Sequence, residues 1–217
     1  MRTNFDNNLS ELKKLLLDME AKAEKAVKDS LTALVNQDFE LANKVINNDH
    51  EINNLDHEIN DRALMLIAME SPVAKDLRTI NVALKVASEV ERMGDMAVNI
   101  AKAALHIGNE KHFKEIIDIP KMMQTALEMV TLSITAYITE DVMLAQKCAE
   151  KDDQVDNMFG EIVHELISMV PENPEATNQI IQLSFVCRFI ERIADHSTNI
   201  AENVIFLVTG KRFDLNT

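Results

Sequence analysis

Residues 91–101 read ERMGDMAVNIA and residues 191–201 read ERIADHSTNIA, so six of eleven positions are identical across an offset of 100 residues. A second match, at an offset of 103, pairs DFELANK at residues 38–44 with DVMLAQK at residues 141–147. Matching segments that follow in the same order at nearly the same spacing indicate an internal repeat. The sequence therefore predicts a tandem duplication.

The composition favours helices throughout the chain. Hydrophobic residues make up 47% of the sequence, aromatic residues only 4%, and there is no Trp. Ala, Leu, Ile, Glu, Lys and Met, which dominate, are mostly good helix formers. Four Pro and four Gly are too few to supply the closely spaced turns of an all-β chain. We expect an all-α fold.

Six long helices are predicted, because apolar residues recur at i, i+3, i+4 and i+7 between helix-breaking residues. Ser71 and Pro72 are interpreted as the N-cap and first residue of the third helix, and Gly108 as its end. Gly94 and Gly160 lie inside helices, where each costs about 1 kcal/mol relative to Ala, so we expect a neighbouring helix to pack closely at both. The predicted helices are residues 4–35, 39–69, 72–108, 120–137, 142–170 and 174–210.

The length of the repeat limits the architecture. A period near 100 residues is too long for a solenoid, whose repeats span about 20–50 residues. Each half should instead be an antiparallel three-helix unit. We predict two pseudo-symmetric three-helix bundles, residues 1–109 and 110–217, packed side by side. The short connection near residues 109–112 is not rich in Gly or Ser, so we expect little freedom between the bundles.

The repeated segment carries two acidic residues in each half. Positions i and i+4 of a helix lie about 40° apart on one face. The pairs at this spacing are Glu91 with Asp95 and Glu191 with Asp195, and Asn99 and Asn199 extend them by one turn. The helix before each segment carries a matching pair, Asp49 with Asn53 and Asp152 with Asp156. These side chains could therefore face one another across each bundle.

Clustered carboxylates need compensation. Like charges at i and i+4 destabilise an exposed helix by about 0.2–0.5 kcal/mol, and burial without a partner costs more. Carboxylate and amide oxygens are suitable ligands for iron, zinc, manganese, magnesium or calcium ions. We predict one metal site in each bundle. Asn53, an amide where the other half has Asp156, should weaken the first site.

Two alternatives to these metal sites remain open. Arg92 and Arg192 adjoin the acids, and interhelix salt bridges to Lys85, Lys102 or Arg188 would satisfy them without metal. The chain would then be a metal-free helical adaptor, with the acids serving as partner-binding faces. A ferritin-like di-iron protein requires an E-x-x-H motif on each of two helices, whereas this sequence has one, Glu161 to His164. No nucleophile, Gly-rich phosphate loop or acid–base pair indicates catalysis, so we predict that the chain is not an enzyme.

Charge and hydropathy exclude several classes of partner. A formal charge of −14 repels a nucleic-acid backbone. The longest apolar runs, such as residues 63–69, fall short of the roughly 18 residues that a membrane span requires. The first residues lack the apolar core of a signal peptide. Cys148 and Cys187 are interpreted as buried thiols in a reducing compartment. We expect a soluble, intracellular protein.

The doubled E-R-x-x-D-x-x-x-N-I segment, each copy preceded by a D-x-x-[IV]-[DN] helix, resembles the PhoU family over almost the whole chain. The resemblance implies two three-helix bundles whose acidic motifs hold multinuclear metal clusters in some members. The positions that match the family's motifs are Glu91, Asp95, Glu191 and Asp195 in the repeated segment and Asp49, Asp152 and Asp156 in the preceding helix.

The resemblance also implies a biological role. It describes a cytoplasmic regulator, expected as a homodimer, that is held at the inner face of the membrane by its partners. Those partners are the ATPase subunit of a phosphate ABC transporter and a sensor histidine kinase. The implied role is negative regulation of phosphate uptake and of phosphate-starvation signalling when phosphate is plentiful.

Overall fold

The computed structural model describes residues 2–215, with side chains from residue 5 onward, and this part of the chain is helical without any strand. The α-helices are α1 (Arg2–Asn36), α2 (Phe39–Glu70), α3 (Ala74–Ile107), α4 (Asp118–Thr139), α5 (Val142–Ala149), α6 (Asp152–Ser168) and α7 (Thr177–Thr209). A 3-10 turn, Pro174–Ala176, precedes α7. The all-α prediction is confirmed. None of these helices has an apolar stretch long enough to cross a bilayer.

The two bundles meet along α3 and α7. Helices α1, α2 and α3 pack on one another, as do α4, α5, α6 and α7, and the most extensive contact between the halves joins α3 to α7. Arg78, near the start of α3, donates to the carbonyl of Leu207 near the end of α7 over 3.4 Å. Asn178, at the start of α7, donates to the carbonyl of His106 near the end of α3 over 3.2 Å. The two helices therefore run antiparallel, and the predicted pair of three-helix bundles is confirmed.

The fifth predicted helix, residues 142–170, is interrupted in its middle. The N–H of Lys151 bonds to the carbonyl of Cys148 over 3.1 Å, a tighter turn than that of an α-helix. The ammonium group of Lys151 forms a 2.7 Å ion pair with Glu128 on α4. Helix α6 then begins with Asp152 and Asp153, whose charges suit a helix N-terminus. Counting α5 and α6 as one broken helix gives the six that were predicted.

The prediction for Ser71 and Pro72 is wrong. Ser71 does not cap α3 but ends α2, with a positive φ of 44° and its N–H bonded to the carbonyl of Ile67. A proline disfavours the right-handed helical conformation in the residue before it, so α2 cannot continue through Ser71. Helix α3 starts at Ala74, after Val73, which is extended and makes no side-chain cap.

The two interior glycines differ. A Cβ atom on Gly94 would lie 3.0 Å from Cδ1 of Ile52 on α2, so the predicted close helix contact is confirmed there. A Cβ atom on Gly160 would meet nothing within 4 Å, so the prediction is wrong for Gly160, which is exposed.

The connection between the halves is held by hydrogen bonds to the first bundle. The side chain of Gln37 donates to the carbonyls of Gly108 and Glu110, over 2.9 and 2.7 Å. Nε2 of His112 lies 3.0 Å from the carbonyl of Leu34. These contacts favour a fixed connection. The exact boundary between residues 109 and 110 stays a prediction.

Candidate metal sites

The first acidic cluster lies where α2 crosses α3. Asp49 and Asn53 are one turn apart on α2, and the amide of Asn53 donates to Oδ2 of Asp49 over 3.0 Å. Burial raises the pKa of Asp49, the Asn53 hydrogen bond opposes this, and the charge of Asp95 on α3 raises it again. The two helices therefore bring Asp49 and Asp95 close enough to repel each other.

Asp56 is a member of this cluster that was not predicted. Burial raises the pKa of Glu91 on α3, followed by the charges of Asp95 and Asp56. Burial likewise raises the pKa of Asp56. Asp56 follows Asp49 by seven residues, which is two helical turns, so it lies on the same face of α2. That spacing was the signal that could have identified it.

The second cluster joins α6 to α7, and the pKa values of two of its carboxyl groups are shifted more than those of the first cluster. Burial, then the charges of Asp195 and Asp156, raise the pKa of Asp152 to about 6. Burial and the charge of Asp195 raise the pKa of Glu191 to about 7. The pKa of Asp195 is also raised, by burial and then by Asp156. All four predicted acids of this half are therefore brought together.

Among the described residues, the interhelix salt bridges predicted as an alternative do not form, and the one ion pair to these acids lies within α7. Arg188 pairs with Oε1 of Glu191, three residues away on α7. The pKa of Glu191 stays raised despite this cation, because burial outweighs it. Lys102 adds a favourable charge near Asp49, but within residues 5–215 neither Lys102 nor Lys85 forms an ion pair with the acids. Arg92 and Arg192 also place favourable charges near Glu91 and Asp195, but burial outweighs them and the pKa of both acids stays raised.

Buried oxygen atoms without partners remain in both clusters. In the part of the chain that the structure describes, the buried oxygens that accept no hydrogen bond include Asp49 Oδ1, Asn53 Oδ1, Asp56 Oδ1, Asp152 Oδ1 and Glu191 Oε2. Such atoms usually have a protein, water or ion partner. Oxygen donors of this kind fit a hard cation. Within residues 5–215, however, no three His, Cys, Asp or Glu side chains lie in an arrangement that could hold a metal ion.

The cavities near the two clusters differ in volume and in the residues that line them. A cavity of about 730 Å³ opens at the second cluster. Its walls are Gln146, Ala149, Glu150, Asp152, Asp153, Asp156, Asp195 and Leu215. Of the first cluster, Asp49 lines a groove of only about 220 Å³. Lys22, Lys25 and Lys44 also line this groove, and the first two of them pair with Glu51 and Asp29. The chemical difference between the two halves therefore rests on more than the Asn53 substitution.

Several predicted residues lie outside the clusters. The amide nitrogen of Asn199 donates to Glu89 on α3, over 3.1 Å. Glu161 and His164, the single E-x-x-H motif, are both exposed on α6. The ferritin-like alternative therefore has no support from this motif. Glu89 was not predicted as a contact, because its partners lie in the other half of the chain.

A family model and two similar proteins indicate the same family. The family model described as "PhoU domain" matches residues 16–104 and 119–204. A "Phosphate-specific transport system accessory protein PhoU homolog" of Clostridium acetobutylicum is 38% identical over 216 residues, covering 99% of each chain. A protein of the same description from Aquifex aeolicus is 39% identical over 203 residues, covering 94% of this chain and 92% of its own.

A solved structure agrees with the fold. The crystal structure of PhoU from Pseudomonas aeruginosa superimposes with a TM-score of 0.91 at 31% sequence identity. It covers 95% of this chain and 100% of its own. The names of these relatives describe accessory proteins and not enzymes, in agreement with the prediction that the chain has no enzymatic activity.

Proposed function

Because the chain belongs to the PhoU family, we propose that it is a non-enzymatic accessory protein of a phosphate-specific transport system and restrains phosphate uptake and starvation signalling. The observation that carries the proposal is the match to both copies of the domain, in a chain that aligns with named accessory proteins over nearly its full length. The proposed partners are the ATPase subunit of the phosphate transporter and a sensor histidine kinase. The protein acts in the cytoplasm, at the inner face of the membrane through these partners, as a homodimer.

The test of this role is genetic. Deleting the gene in the source organism should raise expression of a phosphate-starvation reporter in phosphate-rich medium, and an intact copy should restore repression. Unchanged reporter expression after deletion would contradict the regulatory role. Co-purification of the ATPase subunit and the kinase with the tagged chain tests the partners, and light scattering after gel filtration tests the homodimer.

We also propose that each acidic cluster binds divalent or trivalent metal ions, with iron, zinc, manganese and magnesium as candidates. The support is the convergence of carboxylates from two helices around buried oxygens that lack partners among the described residues. A bound cation would supply positive charge between the helices. The carboxylates of Asp49, Asp56, Glu91 and Asp95 would hold it in the first bundle, and those of Asp152, Asp156, Glu191 and Asp195 in the second. Each cluster would then join two helices of its bundle and fix the surface offered to a partner.

Elemental analysis tests the metal proposal. Protein purified without a His-tag or chelator should contain metal, part of which is lost in Glu91→Gln/Asp95→Asn and part in Glu191→Gln/Asp195→Asn. Glu161→Gln is the matched control, since it removes an exposed acid of α6 and should change nothing. A wild-type protein that is empty and cannot be loaded would favour the metal-free adaptor instead.

A further inference from the structure

The residues that follow α7 turn back along that helix. Gly210 ends α7 with a φ of 73°, and its N–H bonds to the carbonyl of Phe206 over 2.9 Å. A Cβ atom at this position would lie 2.7 Å from Nη1 of Arg78 on α3. Both the positive φ and the close arginine therefore favour glycine. The left-handed conformation of Gly210 ends the helix and turns the following residues back over it.

Contacts with α7 and with the core hold the returning segment, residues 211–215. The guanidinium of Arg212 lies 5.4 Å from the ring centroid of Phe206, within the range of a cation–π contact. The backbone N–H of Leu215 donates to Oε1 of Glu202 over 2.7 Å, and the Leu215 side chain packs on the core. The segment thus runs antiparallel to α7, because Arg212 contacts Phe206 and the later residue Leu215 contacts the earlier residue Glu202.

The segment ends at the second acidic cavity. Leu215 forms part of the wall of that cavity, together with Asp152, Asp156 and Asp195. Asp152 is only 9% exposed, and its Oδ1 atom has no hydrogen-bond partner among the described residues. Glu202 follows Asp195 by seven residues, which places both on one face of α7. The residue that holds the segment therefore lies on the same face of α7 as Asp195, two turns further along the helix.

The first bundle is arranged differently. The position equivalent to Glu202 is Lys102, whose positive charge acts on Asp49. Gly108, which ends α3, is followed by the connection to α4, and Gln37 binds that connection to the first bundle. The residues that line the groove at the first cluster come from α1, α2 and α3.

We propose that residues 211–215 are a strap that closes one side of the second acidic cavity and slows the exchange of a bound cation there, with Glu202 as the residue that positions it. This inference rests on the proposed metal binding by the second cluster. The strap is suited to opening, because residues 211–214 are exposed and only a few contacts fasten it.

The experiment measures release of Mn²⁺ from the second cluster alone. The first cluster is removed by Asp49→Asn/Asp56→Asn/Glu91→Gln/Asp95→Asn, and the Mn²⁺-loaded protein is mixed with excess fluorescent chelator in a stopped-flow instrument. Deleting residues 211–217 should speed release about tenfold, the factor expected for losing a hydrogen bond to a charged group. Glu202→Ala should have a similar effect. Glu202→Gln is the matched control, because its amide oxygen still accepts the Leu215 N–H, and release should stay slow.

A second readout does not depend on metal. The amide proton of Leu215 should exchange slowly with solvent in the wild type and in Glu202→Gln, and quickly in Glu202→Ala. Mn²⁺ that binds but leaves at one rate from all variants would overturn the strap and leave metal binding intact. An unprotected Leu215 amide in the wild type would also overturn the strap. Absence of Mn²⁺ binding in every variant would overturn the metal proposal and the gating built on it.

Discussion

Nδ1 of His196 on α7 lies 2.7 Å from Oε2 of Glu89 on α3, in the contact between the two bundles. Asn199 donates to the same oxygen over 3.1 Å, and His196 is only 7% exposed. The positions related to Glu89 and His196 by the repeat are Phe189 and Met96, which cannot form an ion pair. This buried polar contact therefore occurs on one side of the pseudo-symmetric interface only.

Removing one partner of this contact should destabilise the protein. Glu89→Phe leaves a buried imidazole without its acceptor, which costs about 1–3 kcal/mol. Glu89→Phe/His196→Met copies the opposite side and should recover part of that loss, because both polar groups are replaced together. Urea unfolding of Glu89→Phe, His196→Met and the double variant measures the coupling. Additive losses in the double variant would show that the two side chains do not act together.

The contact of Gly94 with Ile52 leads to a second prediction. In the second half, Ala194 stands at the position of Gly94 and Val155 at the position of Ile52. The second half therefore has one methyl group more at the first position and one fewer at the second. Gly94→Ala alone should destabilise by about 1 kcal/mol, since its Cβ would lie 3.0 Å from Cδ1 of Ile52. Gly94→Ala/Ile52→Val should be at least as stable as the wild type, because the crowded methyl is gone and alanine favours the helix. Thermal unfolding that ranks the double variant below the single one would contradict this.

Much of the fold could be predicted, because its determinants are local. The spacing of apolar residues gave the helices, and the i, i+4 spacing of Glu91 and Asp95 gave the shared face. The break at Lys151 could not be predicted in the same way, because residues 148–153 contain no Pro or Gly to mark it. Ser71 was misassigned because a serine before proline can end one helix as well as begin the next.

The candidate site could be predicted only in part for a similar reason. Residues within one helix, including the overlooked Asp56, follow from helical geometry. The contact of Glu89 with His196 depends on how α3 packs against α7, and the two residues are 107 positions apart. The strap contact of Leu215 with Glu202 forms after a reversal of the chain at Gly210. The repeat alone would have predicted two equal clusters.

The cysteines should be chemically silent in the folded protein. Cys148 and Cys187 are buried and free, and burial raises the pKa of each thiol to about 12. Because the thiolate is the reactive form, an aromatic disulfide reagent should label neither residue at neutral pH. In urea both should react. Rapid labelling of the native protein would show that one of the helices α5 or α7 opens readily.

The second cluster should make the metal-free protein less stable as the pH rises. The pKa of Glu191 is raised from 4.5 to about 7 and that of Asp152 from 3.8 to about 6. At pH values between the ordinary and the raised pKa of each group, the folded state binds more protons than the unfolded state, so the free energy of unfolding falls with increasing pH. At about 1.4 kcal/mol for each pKa unit, the two shifts correspond to a fall of up to about 6 kcal/mol between about pH 4 and pH 8, and urea unfolding across this range measures it. Glu191→Gln should reduce the fall, and a stability independent of pH would contradict the prediction.

A cation should reverse this dependence. Mn²⁺ competes with protons for the same carboxylates, so its effect on the melting temperature should be larger at about pH 8 than at about pH 5. Differential scanning calorimetry with and without Mn²⁺ at the two pH values measures the difference. Glu161→Gln, which changes an exposed acid on α6, serves as the control and should behave like the wild type. An equal Mn²⁺ shift at both pH values would mean that the ion binds somewhere other than these buried carboxylates.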